Sequence, residues 1–579
     1  MPRLTKSVFL TLTGALVISW LFTSALLSRS AITSAQSELT QLSNIDGVSN
    51  IQLADSLKSA RESANAARDR VHDPLWWLLA QIPYLGNAPE ALRESTAVAA
   101  DTLNATIELE NDLRALPETN ELIDPDLLLV LGKGAGNLQP AMANASERLN
   151  ALDLTAVPGA LADPIEKLRT QITDVSPYLS EAENFAKVAP ALLGLEKPQR
   201  WVVIFANTAE ARPSGGFPGG WGIITADKGK LSLSDVESND RFNTVSLKNW
   251  QEIAGLDAEI LYNSDLSRVL DMGLSPDFEL AGELFWNLYV QETPGPKPVG
   301  IMSMDEHALE SLMRVTGPVQ VDGKELTADE VVEYVTKGVY AKHTDVAAKD
   351  KALLGLAGDI FAKLKTGEVG MIGLARALLP AMEDGRIRAW SADAAVQTII
   401  RKTSLSSGIR DVKKYTHAVA IANGGGNKLE AYVQADVQYW GGECNVNLPY
   451  RNSTLRVNLT NSAPRKGLPA YVTPRIDKGD LTPVPQGGTR EIVFVHAPLG
   501  SELQKATVNG REIQPLSQGI ENGRWVWRFD VELPAQSERL LLVDMLEPAI
   551  EEMPYANLWE QPMTIPMTTT EHVGPKCVS

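Results

Sequence analysis

The sequence predicts an α/β core that follows an N-terminal transmembrane helix and an α-helical stalk or bundle, and that precedes a C-terminal all-β sandwich. Three observations carry this. An uncharged stretch opens the chain, a three-and-four-residue apolar spacing runs through its first third, and strict alternation marks its last quarter. The expected boundaries are 1–35 for the cytoplasmic tail and anchor, 36–195 for the helical region, 196–412 for the core and 413–579 for the sandwich.

At the N-terminus, Arg3 and Lys6 precede 22 uncharged residues from Ser7 to Ser28. That length suffices to cross a hydrocarbon core of about 30 Å as a helix. The basic tail assigns the cytoplasmic side, so the bulk of the chain is expected outside the cytoplasm on a single span. A cleaved signal peptide ending near Thr33-Ser34-Ala35 is the rival reading. Next, Leu53, Leu57, Ala60, Ala64, Ala67 and Val71 recur at steps of four and three. So do Leu161, Ile165, Leu168, Ile172, Val175 and Leu179, which makes one apolar helix face, as in a coiled coil or hairpin. Between them, Asp73 to Gly86 is broken by prolines and is unusually apolar. A continuous helix over 29–72 would hold it roughly 65 Å from a bilayer. Packing against the protein or a partner is therefore its expected role.

From Gln199 the period changes. Trp201-Val202-Val203-Ile204-Phe205 reads as a strand covered on both faces. A hairpin follows through Asp227-Lys228-Gly229-Lys230, and helical segments near 277–291, 305–315, 327–340 and 346–365 flank the short strand Val299–Met304. Beyond the Asn423-Gly424-Gly425-Gly426-Asn427 loop, alternation through Leu429–Tyr439, Leu455–Leu459 and Trp525–Val531, with a turn at Asn509-Gly510, indicates the sandwich.

Charge narrows the function classes. With 53 basic and 72 acidic residues the chain carries −19, which argues against a nucleic-acid partner. Six histidines and two cysteines supply little for a zinc or iron–sulfur centre, and no metal site is expected. Outside the cytoplasm Cys444 and Cys577 are expected to close a disulfide, the alternative being two thiols that never meet.

The densest polar constellation is the stretch from Asn207 to Gly220. It leaves the carboxyl end of an apolar strand, where ligands of open α/β sheets gather. Asn207, Glu210, Arg212, Ser214, Gly215 and Gly216 are the candidate ligand-binding residues. Arg212 offers a fork for phosphate or carboxylate, and the glycines let backbone N–H groups approach a ligand. A structural role, with Glu210 paired to Arg212 and the glycines permitting a bend, accounts for the same residues. Asp265, Asp271, Asp277 and Asp305 are weaker candidates for a metal, since Asp277 and Asp305 stand where helix caps are expected. His307 and His343 have no second histidine at ligand spacing. Walker A, G-x-S-x-G, HExxH and GxGxxG patterns are absent, and no catalytic residue is assigned.

At this loop the chain resembles a bacterial surface-protein family, domain-of-unknown-function family 4012. The likeness rests on the Pro-Trp…Ile-Pro-x-Leu-Gly segment from Pro74 to Gly86 and on Asn-x-Ala-Glu-x-Arg-x-x-Gly-Gly from Asn207 to Gly216. It extends to Ser275-Pro276-Asp277-Phe278, Met304-Asp305 and Val315–Val319. More distantly the chain is similar to the LytR–CpsA–Psr phosphotransferases through its anchor, its α/β core and the Gly300–Val319 block. It lacks their Ser-Ile-Pro-Arg-Asp signature, and Val335–Tyr340 stands where an arginine-bearing segment would be expected.

These resemblances imply a membrane-anchored envelope protein with a binding or scaffolding role in surface-polysaccharide assembly. Its partners would be the membrane, other envelope proteins or a lipid-linked glycan, and it would need no cofactor. The alternative is phosphotransfer from polyprenyl-pyrophosphate-linked glycans, with Mg²⁺ only in that case.

Overall fold

The computed structural model describes residues 49–577 except 83–85, 120–122, 156, 235, 263–265, 365–370, 407, 410–415, 445–448, 480–484, 549–557 and 576. The chain separates into two compact units, one reaching Pro190, the other beginning at Ala191.

The first unit is helical, with long elements at Asn50–Val71, Asn87–Asn104, Pro125–Asn150 and Gly159–Leu192. Its cores are built on small residues. Ala54, Ala60, Ala64 and Ala67 are buried along one face of Asn50–Val71, because alanine lets helices approach closely. In the short helix Pro74–Ala80, Trp76 is buried while Trp77 and Leu78 are exposed.

One part of the predicted architecture is corrected. Among the described residues no helix is long and apolar enough to cross a membrane. The physical reason is amphipathy: the longest helix, Gly159–Leu192, carries Asp163, Glu166, Lys167 and Arg169 within its first turns. The stretch Ser7–Ser28, on which the anchor is predicted, lies outside the described residues.

The second unit contains the mixed sheet and the sandwich. Strands β1 (Gln199–Asn207), β2 (Phe217–Asp227), β3 (Lys230–Leu233), β4 (Glu237–Ser238), β5 (Gly300–Met304), β6 (Val319–Val321), β7 (Lys324–Leu326) and β8 (Ile387–Ser391) occur among its helices. Six of them form one sheet, in the order β3-β2-β1-β5-β8 with β4 beside β2. Only β1 and β5 run parallel. β2 and β3 are joined by a two-residue turn in which Lys228 and Gly229 have φ of 49° and 83°, the conformation that such hairpins require. Along β1, Val202 and Ile204 face the helix Phe278–Glu292 within one core. Phe205 points the opposite way and meets Phe361 of the helix Val346–Leu364 edge-on at 6.4 Å.

The sandwich places β14 (Arg511–Ile513), β13 (Glu502–Val508), β17 (Ser537–Pro548), β11 (Tyr450–Asn461), β10 (Val433–Cys444) and β19 (Thr568–His572) in one sheet. β15 (Ser517–Glu521), β16 (Arg524–Leu533), β12 (Thr489–Pro498), β9 (His417–Asn423) and β18 (Leu558–Trp559) form the other. Alternate residues of both sheets, among them Val437, Val457, Val543, Val495 and Phe529, make one buried core. Cys444 and Cys577 are bonded, with Cα atoms 5.4 Å apart, and so tie the C-terminal tail to β10.

Candidate functional site

The Asn207–Gly220 stretch turns back at the end of β1 and enters β2. Gly215 and Gly216 have φ of 112° and 102°, values that a residue with a Cβ rarely adopts. A Cβ on Gly216 would also lie 2.9 Å from the Asn207 carbonyl. The turn closes by backbone bonds from Gly215 and Gly216 to the Arg212 carbonyl, at 2.9 and 3.1 Å. Ser214 N–H donates to Gly273 and Phe217 N–H to Glu210. These backbone donors are therefore spent within the fold.

The side chains of the motif are equally engaged. Asn207 donates to the Tyr340 hydroxyl at 2.9 Å and accepts from Ala209 N–H. Glu210 receives Arg212 Nη2 at 2.8 Å and Lys428 Nζ at 2.8 Å, Glu210 and Arg212 being buried and Lys428 partly so. Burial works against the Glu210 charge, yet Lys428 and Arg212 hold its carboxyl below the usual range. The rest of the Arg212 guanidinium donates to the carbonyls of Leu270, Ala211 and Asn423. Thr208 bonds Glu306 through both its N–H and its hydroxyl, and its hydroxyl also meets that of Thr564 at 2.7 Å. The motif thus joins the mixed sheet to the start of the sandwich. The glycine loop 423–427 is packed beside it: Asn423 N–H donates to the Ala211 carbonyl, Gly424 N–H to the Arg490 carbonyl and Gly426 N–H to the Asn423 side chain.

A small cavity of about 100 Å³ opens at the carboxyl ends of β1 and β5. Sheet ends of this kind commonly hold small-molecule sites. Phe205, Met304, Leu309, Leu353, Leu354 and Ala357 give it apolar walls. Gly219 and Gly220 of the motif also line it; at Gly220 a Cβ would approach Leu354 to 2.8 Å. Of the six predicted ligand-binding residues, Asn207 lines this cavity, whereas Glu210, Arg212, Ser214, Gly215 and Gly216 are buried behind it.

The polar lining comes from distant elements. Lys349 Nζ reaches the Tyr471 hydroxyl at 3.0 Å and Asp350 at 2.7 Å, and lies over the Tyr471 ring at 4.2 Å. Tyr471 stacks on Tyr340 with centroids 5.7 Å apart, and burial pushes the Tyr340 phenol up to about 12. Lys428 Nζ lies 4.5 Å from the Phe217 ring centroid. Glu306 is buried, and burial, reinforced by Asp305, raises its carboxyl. The buried Asn239 Nδ2 has no hydrogen-bond partner. Sequence reasoning missed these residues; only Glu306 carried a signal, through its neighbours Met304-Asp305.

The candidate metal carboxylates are otherwise employed. Asp277 caps the helix Phe278–Glu292 through Glu279 N–H, and Asp305 caps Glu306–Thr316 while pairing with Arg386 at 3.0 Å. Asp271 pairs with Arg268, and Asp265 lies outside the described residues. Among the described residues no group of three or more His, Cys, Asp or Glu is placed to hold a metal. His307 contacts Glu310 and the Thr564 carbonyl, and His343 contacts Asp322.

Residues 196–340 match a family model described as a protein of unknown function, DUF4012. The resemblance carried by the Asn207–Gly216 motif therefore holds over the stretch that builds most of the mixed sheet. No curated protein and no solved structure matches the chain.

Proposed function

We propose that this chain is a binding or scaffolding protein of the cell envelope, acting outside the cytoplasm in surface-polysaccharide assembly without catalysing a reaction. Its binding site is the cavity at the carboxyl ends of β1 and β5. The observation that carries this reading is the combination of apolar walls with a few convergent polar groups at a sheet end. The Cys444–Cys577 bond supports the compartment, because such bonds persist in oxidising surroundings.

Phosphotransfer from a lipid-linked glycan is the weaker reading. It needs Arg212 and the loop N–H groups free to grip phosphate, and these are engaged inside the fold. Native mass spectrometry of the full chain purified from its own cells tests the binding reading. A bound species lost on denaturation, and absent from an Ala357→Trp variant that fills the cavity, is expected. Equal ligand retention by that variant would contradict the assignment.

A further inference from the structure

We infer that the outward face of the sandwich sheet around Trp440 binds a neutral glycan chain, stacking a sugar ring on the indole and hydrogen-bonding it to polar side chains alongside. The site shares no residue with the cavity and goes beyond the reading above. Alternation along β10 buries Val433, Ala435, Val437 and Tyr439 and turns Asp436, Gln438 and Trp440 the other way. Trp440 is 41% exposed. One face of its indole stacks on His572 of β19, with centroids 3.6 Å apart, leaving the opposite face for a ligand. The pair is fixed on both strands. Trp440 and His572 are register partners, and the Cys444–Cys577 bond fastens the tail beyond them. There the backbones approach so closely that a Cβ on Gly574 would lie 2.5 Å from the Gly441 carbonyl oxygen. An aromatic platform held in this way loses little freedom when a ligand arrives.

The neighbouring positions supply the hydrogen bonds. Gln438 is paired with Arg456 of β11, and Thr454, the partner of Trp440, is paired with Asp544 of β17. Arg456 is therefore the diagonal neighbour of both Trp440 and Asp544, roughly 7–8 Å from each, a spacing that one sugar ring and its hydroxyls bridge. Asp544 accepts from Thr454 with Oδ1, and Gln438 donates from Nε2 to Asp436. Asp544 Oδ2 and the Gln438 carbonyl remain as acceptors. Beside them the half-buried Arg456 guanidinium has no ion-pair partner among the described residues. Vicinal hydroxyls donate and accept at adjacent positions, and a carboxylate beside an arginine fork answers both. Charge favours a neutral polymer. Over 436–440 and the outward positions paired with it, apart from His572, the charged residues are Asp436, Asp544, Arg456 and Lys505, two acids and two bases. A polymer of phosphates or uronic acids therefore gains no net attraction, whereas the apolar face of a sugar ring gains by covering the indole.

The test is affinity electrophoresis of the full chain in native gels containing either the neutral or the acidic polysaccharide fraction extracted from the envelopes of the cells that make it. The neutral fraction is expected to retard the chain. Trp440→Ala should raise the apparent Kd about tenfold or more, with the melting temperature of the parent because the ring is exposed. Trp440→Tyr should keep most of the binding, and Arg456→Gln should weaken it several-fold. Ala357→Trp, which fills the cavity, should bind the glycan like the parent. Retardation by the acidic fraction as strong as by the neutral one, retardation by neither, loss of binding in Ala357→Trp, or a Trp440→Ala variant that binds like the parent overturns the proposal. The ligand-retention test of the cavity is read separately, so the two readings can fail independently.

Discussion

The two faces of the mixed sheet are covered by helices of similar length, yet one is filled and the other is hollow. On the filled face Trp221 meets Phe242, Phe285 and Tyr289 at centroid distances of 4.6, 5.9 and 6.4 Å. On the hollow face the neighbouring residue of β2 is Gly220, and the helix Val346–Leu364 brings Leu353, Leu354 and Ala357. Alternation along one strand therefore decides both outcomes: the tryptophan points one way, and the absent side chain leaves space the other way. The paired glycines look like a phosphate cradle in the sequence. In the fold Gly215 and Gly216 make the turn, and Gly219 and Gly220 widen a cavity.

The comparison breaks or sharpens at particular residues. Trp221→Ala should have the largest effect, about 3–5 kcal/mol in chemical denaturation, because a buried aromatic leaves a void that rigid neighbours cannot fill. A loss below about 1 kcal/mol would mean that the filled face is loosely packed. Next in size, Arg212→Met should cost roughly 3 kcal/mol, since it strips a buried partner from Glu210. Arg388→Met should cost nothing or stabilise. Arg388 is buried on the filled face with one 3.4 Å bond to the Pro213 carbonyl and an unpartnered Nε, and burial lowers its pKa to about 10.

A smaller pair of effects compares the faces directly. Ala281→Leu on the filled face should cost about 1–3 kcal/mol by overpacking, whereas Ala357→Leu should change stability by less than about 0.5 kcal/mol. Equal costs would mean that the hollow face has no room. The smallest effect is a pH dependence. Burial raises the Glu491 carboxyl to about 7 in the folded chain, so folding favours its protonated form. Stability from this group is present below the unfolded glutamate pKa of about 4.3 and is lost as pH rises through 7. Glu491→Gln should therefore stabilise the chain at pH 8 more than at pH 4, as read by melting temperature at the two values.

Local features of the fold were legible in the sequence. The Lys228-Gly229 and Asn509-Gly510 turns, the caps at Asp277 and Asp305 and the alternating strands depend on near neighbours. The candidate site was legible only at Asn207. Glu210 finds Lys428 across 218 residues and Arg212 finds the Asn423 carbonyl across 211. No local pattern announces such pairings, so the motif read as free to bind when its groups were already committed. The cavity was invisible for a related reason: a void is made by what several separate segments omit.

The central claim, that the hollow face accepts a ligand and the filled face does not, is tested most directly by NMR of the chain labelled at its methionine methyl groups. Met304 lines the cavity, and Met272 sits in the core of the filled face. Titration with decanoate should shift the Met304 signal in a saturable way and leave Met272 in place. A Met304 signal that stays fixed through the titration, or one that moves no more than Met272, would contradict the account.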